Sequence, residues 1–202
     1  MILGGAAAIL TGGCGGSSHK SPTATHVVTT PSTTSSAPQP AITRRLLRVS
    51  EIPTGFTPVG QPSVSPGIQR FLTSVQTPSD QMATETARYK RLGFVTAASQ
   101  QLNGAGGGGV SLVEQFSSPA GARAELAHDL ATFDGGPAGR VNFSLPGVPH
   151  SGGFGGQGTD QGVNVAFAAG DYYYLVGEQA NTAANRAGVI AAAQKLYHRV
   201  HG

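Results

Sequence analysis

The chain has one cysteine and no tryptophan, only 11% of its 202 residues are charged, and no apolar run approaches 18 residues. A lone cysteine, Cys14, excludes a disulfide scaffold and a cysteine-built zinc site. The lack of a long apolar run excludes a multi-span membrane protein. Charge stands far below the quarter usual in globular domains. The sequence also contains no G-x-S-x-G elbow and no G-x-x-x-x-G-K-[ST] loop, so the common serine-hydrolase and P-loop signatures are missing.

What the chain has in quantity is glycine and proline, 30 and 13 residues, without a collagen period. Residues 15–41 are almost entirely Ser, Thr, Pro, Gly and Ala, and Lys20 is the only charge among them. Ordering such a segment costs backbone entropy and buries little apolar surface, so it reads as a disordered tether. The remaining 161 residues (202 − 41), residues 42–202, have the size of a single globular domain.

Residues 1–13 are apolar and close on Gly12 and Gly13, as a secretory signal does, and Cys14 follows. Leu10-Thr11-Gly12-Gly13-Cys14 resembles the lipobox of bacterial lipoproteins, with Thr11 where that family usually carries leucine. No Lys or Arg precedes Lys20. The resemblance implies that the Cys14 thiol receives a diacylglycerol and that cleavage makes Cys14 the new, palmitate-type acylated N-terminus. Two or more acyl chains would anchor the protein in the cell membrane, facing outward. The texture of the rest, with phrases such as Gly93-Phe94-Val95 and Ala168-Ala169-Gly170-Asp171-Tyr172-Tyr173 and Arg over Lys by ten to three, resembles the tethered domains of actinobacterial-type lipoproteins.

The net charge of +3 and a sequence pI near 9.3 do not describe a nucleic-acid module, because the thirteen cations are spread along the chain. Arg44, Arg45 and Arg48 form the only tight group. They read as a solvated opening segment, with contact to anionic lipid or envelope polymer as the alternative.

Periodicity orders the elements. A helix is expected from Ser79 to Gly93, with Met82, Thr86, Tyr89 and Leu92 on one face. Strands follow at 94–102 and 110–116, around a glycine loop at 104–109. Ser118-Pro119 opens a second helix whose stripe is Ala122, Leu126, Leu130 and Phe133, opposite Arg123, Glu125, His128 and Asp129. A short strand at 141–145, a glycine-rich loop at 151–158, a hairpin of 163–168 with 172–176, and a helix from Asn181 to about Arg199 complete the pattern. Val189, Ala192, Leu196 and Val200 form the inner face of that last helix.

The expected fold is α+β, an antiparallel sheet of about four to six strands with helices mainly on one face, in the order α-β-β-α-(β)-β-β-α. Leu112-Val113-Glu114-Gln115 and Leu175-Val176-Gly177-Glu178-Gln179, each before a helix, hint at a pseudo-twofold sheet. A remoter similarity is to Mog1/PsbP-like α/β/α sandwiches.

Gly104/Gly106/Gly109 and Gly153/Gly155/Gly158 match G-x-G-x-x-G, but both run into strands, where a dinucleotide needs a helix N-terminus. Of six histidines, His198 and His201 share a helical spacing with no third ligand indicated, so no metal site and no cofactor is assigned. His128 and Asp129 are adjacent and point to different helix positions. Most carboxylates fall at caps, turns or exposed helix positions. Glu114 is the exception, mid-strand and in phase with Leu112 and Phe116; it reads first as an edge-strand residue or the partner of an arginine, with a buried acid as the alternative. Tyr172, Tyr173 and Tyr174 on one strand, beside the loop containing Phe154, mark where a pocket would be sought, between that strand and residues 146–158.

The candidate ligand-binding residues are therefore Tyr172, Tyr174, Phe154 and Glu114, and Cys14 is the lipid site. The expected function is a membrane-tethered, non-catalytic extracytoplasmic binding module for an envelope polymer or small ligand. The alternatives are an extracytoplasmic hydrolase or transferase using Glu114 or Asp171, and a structural envelope protein.

Overall fold

Two-residue alternation builds the centre of the structure, a computed structural model describing residues 40–105, 107–132, 140–156, 162–180 and 185–201. Two short 3-10 turns, Ala41–Arg45 and Val49–Glu51, open the chain. Then come β1 (Phe56–Pro58), β2 (Ser63–Ser65), α1 (Ile68–Ser74), α2 (Met82–Leu92), β3 (Phe94–Gly104), β4 (Gly107–Phe116) and α3 (Pro119–Thr132). They are followed by β5 (Arg140–Phe143), β6 (Ser151–Gly156), β7 (Gly162–Ala169), β8 (Tyr172–Ala180) and α4 (Arg186–His201).

The fold is α+β with an antiparallel sheet in the order β1-β3-β4-β8-β7-β6-β5, β2 also lying along β3. β3 and β4 form one hairpin, α3 carries the chain across to the far edge, and β5 to β8 meander back until β8 pairs with β4. Eight strands replace the four to six expected. The additions are short or glycine-rich: β1 and β2 occupy the proline-rich opening, where three-residue pairings tolerate proline at a sheet edge.

Residues 151–156, read from sequence as a loop, are the strand β6. Its glycines reflect lack of room. A Cβ on Gly153 would meet the Phe143 ring at 2.0 Å, and one on Gly152 would meet Leu130 of α3 at 2.6 Å.

Helices cover both faces. On one, α1, α2 and α3 pack Phe71, Leu72, Tyr89, Phe116, Ala122, Leu126, Phe154 and Tyr173 into one cluster. On the other, α4 and the opening segment bury Leu46, Val113, Val165, Phe167, Tyr174, Val176, Val189 and Leu196. Three of the four α-helices, α1, α2 and α3, thus lie on one face as expected, and α4 on the other face adds a third layer. This layering also breaks the pseudo-twofold hint: Leu112 does pair with Leu175, but α3 and α4 cover opposite faces of the same strands. A twofold axis through the sheet would place them on the same side.

Helix ends obey local chemistry. The Gly121 N–H donates to Ser118 Oγ (3.3 Å) at the start of α3, and Gly93 closes α2 at φ 76°, a left-handed conformation that favours glycine. α2 begins at Met82, after a turn in which the Gln81 N–H donates to the Pro78 carbonyl (3.0 Å). At α4 the Gly188 N–H donates to Asn185 Oδ1 (2.9 Å). The expected cap Asn181, Phe133, residues 15–39 of the tether and Cys14 lie outside the described residues, while Ala41, expected to end the tether, opens the first 3-10 turn.

Candidate functional site

Strand alternation in β4 and β8 decides which groups meet. The register sets Glu114 opposite Tyr173, both facing the α1–α3 layer, while Tyr172 and Tyr174 face α4. On α3, Glu125 and Asp129 stand four residues apart, so both reach the same side of the helix. α2 contributes Glu85, Arg88 and Tyr89 from above.

These groups form one buried polar cluster. The Arg88 guanidinium pairs with Glu85 through Nε (2.7 Å) and forks onto Glu125, with Nη2 to Oε1 at 3.1 Å and Nη1 to Oε2. The Tyr89 hydroxyl donates to Glu125 Oε1 (2.9 Å), and the Tyr173 hydroxyl donates to Asp129 Oδ2. Glu114 is 2% exposed, and its Oε2 has no hydrogen-bond partner among the described residues. Four carboxylates thus gather near one guanidinium, which bonds two of them, Glu85 and Glu125.

Removal from water disfavours the charged form of an acid, and so do neighbouring negative charges. Burial first, then Glu125 and Asp129, push Glu114 well above the carboxylate range. Burial and then Glu125 push Asp129 up to about 7, against the bond from Tyr173. Burial works to lower Arg88, but hydrogen bonding and attraction from Glu125 outweigh it and hold the guanidinium charged. His128, beside Asp129 on α3, is lowered by burial and by Arg88. The cluster therefore holds protons at neutral pH. α2 and α3 overlie it, and the chemistry it can do is internal: proton storage and charge balance.

The four ligand-binding candidates are not brought together. Phe154 and Glu114 lie on the α1–α3 face, Tyr172 and Tyr174 on the α4 face. β7 separates β6 from β8, so the strand of tyrosines and residues 151–156 are not facing walls of a cleft. The Tyr172 ring lies under the Arg45 guanidinium (3.7 Å to its centroid), and Arg45 Nη1 donates to the Tyr174 hydroxyl (2.7 Å). Asp171, at the β7–β8 turn, accepts from Gln115 Nε2 (3.2 Å).

A shallow groove of about 530 Å³ runs instead along the outside of α1 and α2, lined by Gln69, Met82, Thr86 and Lys90 among others. No group of three or more metal-ligating side chains occurs among the described residues.

No protein-family model and no curated protein matches the chain. Among solved structures, the extracellular domain of PknH from Mycobacterium tuberculosis matches with a TM-score of 0.50 and 15% identity, over 78% of this chain and 95% of that one. The two share a fold. At this identity the likeness concerns the architecture alone. No helix among the described residues is long and apolar enough to cross a membrane.

Sequence reasoning passed over Arg88, Glu85, Glu125 and Asp129. Glu125 lies three residues after Ala122 and Asp129 three after Leu126, within the sector of the apolar stripe. That spacing was the available signal, but their polarity assigned them to the solvent side.

Proposed function

We propose that the protein is an extracytoplasmic, non-catalytic binding module, held at the membrane by a lipid on Cys14 and a tether of residues 15–41. The observation that carries this reading is the agreement of two independent features. One is the lipobox-like Leu10 to Cys14 followed by a Ser/Thr/Pro segment, and the other is the fold shared with an extracellular domain. The burial of Glu114 supports the non-catalytic part: the residue favoured for acid–base work is closed off beneath two helices. Asp171 is occupied at a turn.

Metabolic labelling with an alkyne fatty acid tests the anchor. Wild-type chain should take up label and Cys14→Ala should not, while protease added to intact cells should digest the domain. Label persisting in Cys14→Ala, or a domain protected in intact cells, would overturn the proposal.

A further inference from the structure

Where the described chain begins, the structure gathers cations that are far apart in sequence. Arg199 of α4 donates to the carbonyls of Arg44 (2.8 Å) and Leu46 (2.6 Å) and pairs with Glu51 (2.6 Å), so the opening segment and the last turns of α4 form one surface. Lys195 stands one turn before Arg199 on the same side of the helix and is exposed, as are Arg44 and Arg48. Val49 lies beside them with 77% of its surface in solvent.

Negative charge is scarce here. Glu51 is buried, bonded by Arg199 and by the Arg48 N–H (2.8 Å). Asp171 is half-buried and bonded to Gln115. Glu85, Glu114, Glu125 and Asp129 are taken up in the α1–α3 layer, Glu178 is buried next to Asn185, and Asp80 sits before α2. Among the described residues, the burial of acids leaves this end with Arg44, Arg45, Arg48, Lys195 and Arg199 against two occupied carboxylates.

We propose that this end, through Arg44, Arg48, Val49 and Lys195, rests on anionic lipid headgroups of the membrane that carries the anchor. The inference deepens the tethered reading above and rests on it. The surface lies where the chain leaves the domain toward Cys14, so it faces the anchor. Read as a coil, the 25 residues 15–39 span roughly 30 Å, which holds the domain within reach of the bilayer at millimolar effective concentration. Each Lys or Arg near an anionic surface adds a modest attraction, and tethering makes modest attraction sufficient. An exposed valine among cations suits an interface with both headgroups and acyl chains, and it would gain nothing from a hydrated polyanion.

The test uses the full chain carrying Cys14→Ala, which cannot be acylated at that site, in sedimentation with vesicles at low salt. Binding is expected to mixed phosphatidylglycerol–phosphatidylcholine vesicles and not to phosphatidylcholine alone. Adding Arg44→Gln, Arg48→Gln and Lys195→Gln should weaken it about a hundredfold. Arg70→Gln, Arg91→Gln and Arg123→Gln, which remove the same charge from the α1–α3 layer, should leave it unchanged. Equal loss in the two triple variants, equal binding to neutral vesicles, or capture by a soluble anionic polymer but not by vesicles would overturn the inference. Because the chain tested lacks the acylation site, a negative result here is separable from a failure of fatty-acid labelling at Cys14.

Discussion

On the α1–α3 face the sheet encloses Glu85, Arg88, Glu114, Glu125 and Asp129 among aromatic rings, whereas on the α4 face the core is aliphatic and aromatic and two separate buried acids, Glu51 and Glu178, lie beside it. The tyrosine run of β8 serves both. Tyr173 points to the first face and donates to Asp129, while Tyr174 points to the second, stacks on Phe167 (4.7 Å between centroids) and accepts from Arg45. The difference teaches how the chain hides its acids. A carboxylate can be buried when it keeps its proton or shares a guanidinium, and the first face uses both means. The second face holds Glu51 by the Arg199 guanidinium and Glu178 by the Asn185 N–H, and otherwise relies on packing.

The sharpest way to break this comparison is Arg88→Met. It removes the guanidinium from the cluster and leaves Glu85 and Glu125 buried without a counter-charge, Glu125 keeping only the Tyr89 hydroxyl, so a loss of about 3–5 kcal/mol is expected in urea unfolding at neutral pH. A loss below about 1 kcal/mol would mean that protons alone balance the cluster. The matching change on the other face, Leu196→Ala, opens a cavity under α4 and should cost about 3 kcal/mol in the same experiment.

The two faces also differ in the sign of their pH dependence. Asp129 titrates near 7 when folded and at its ordinary 3.8 when unfolded, so between those values only the folded chain holds the proton. Its contribution is complete below about pH 4 and is lost as pH climbs to about 7. Glu51 behaves oppositely. Burial works to raise it, but bonds from Arg199 and the Arg48 backbone hold it below its ordinary value of 4.5. Its contribution is present above pH 4.5 and is lost as pH falls further. Asp129→Asn should therefore flatten the stability profile between pH 4 and 7 by roughly 3 kcal/mol relative to wild type. Glu51→Gln should act only on the acid side. An unchanged profile in Asp129→Asn would remove the contrast.

The smallest expected effect is at the rim. Arg45→Ala gives up the stacking on Tyr172 and the bond to Tyr174, and a loss of about 1 kcal/mol in thermal unfolding is expected.

Much of this architecture is legible in local pattern. The alternation of Val163, Val165 and Phe167, the Ser118-Pro119 opening of α3, the Gly93 stop and the Val189–Ala192–Leu196 stripe follow from period and capping, which neighbouring residues decide among themselves. The alternation of β4 also placed Glu114 with Leu112 and Phe116, away from Val113.

Tertiary structure decided what depends on partners distant in the chain. Residues 151–156 are a strand because β5 and β7 pair with them on either side, and Gly152 and Gly153 leave the space that Leu130 and Phe143 occupy. Glu125 is buried and Asp129 half-buried because Arg88, 37 residues before Glu125, and Tyr173, 44 residues after Asp129, come to meet them. Arg45 leaves its basic neighbours because β8 presents two tyrosines to it, and α4 brings Lys195 in its place. Local sequence fixes which way a side chain points along its own element. Whether a charged one ends in water or in the interior depends on whether the fold delivers a counterpart, and no window of neighbouring residues contains that information.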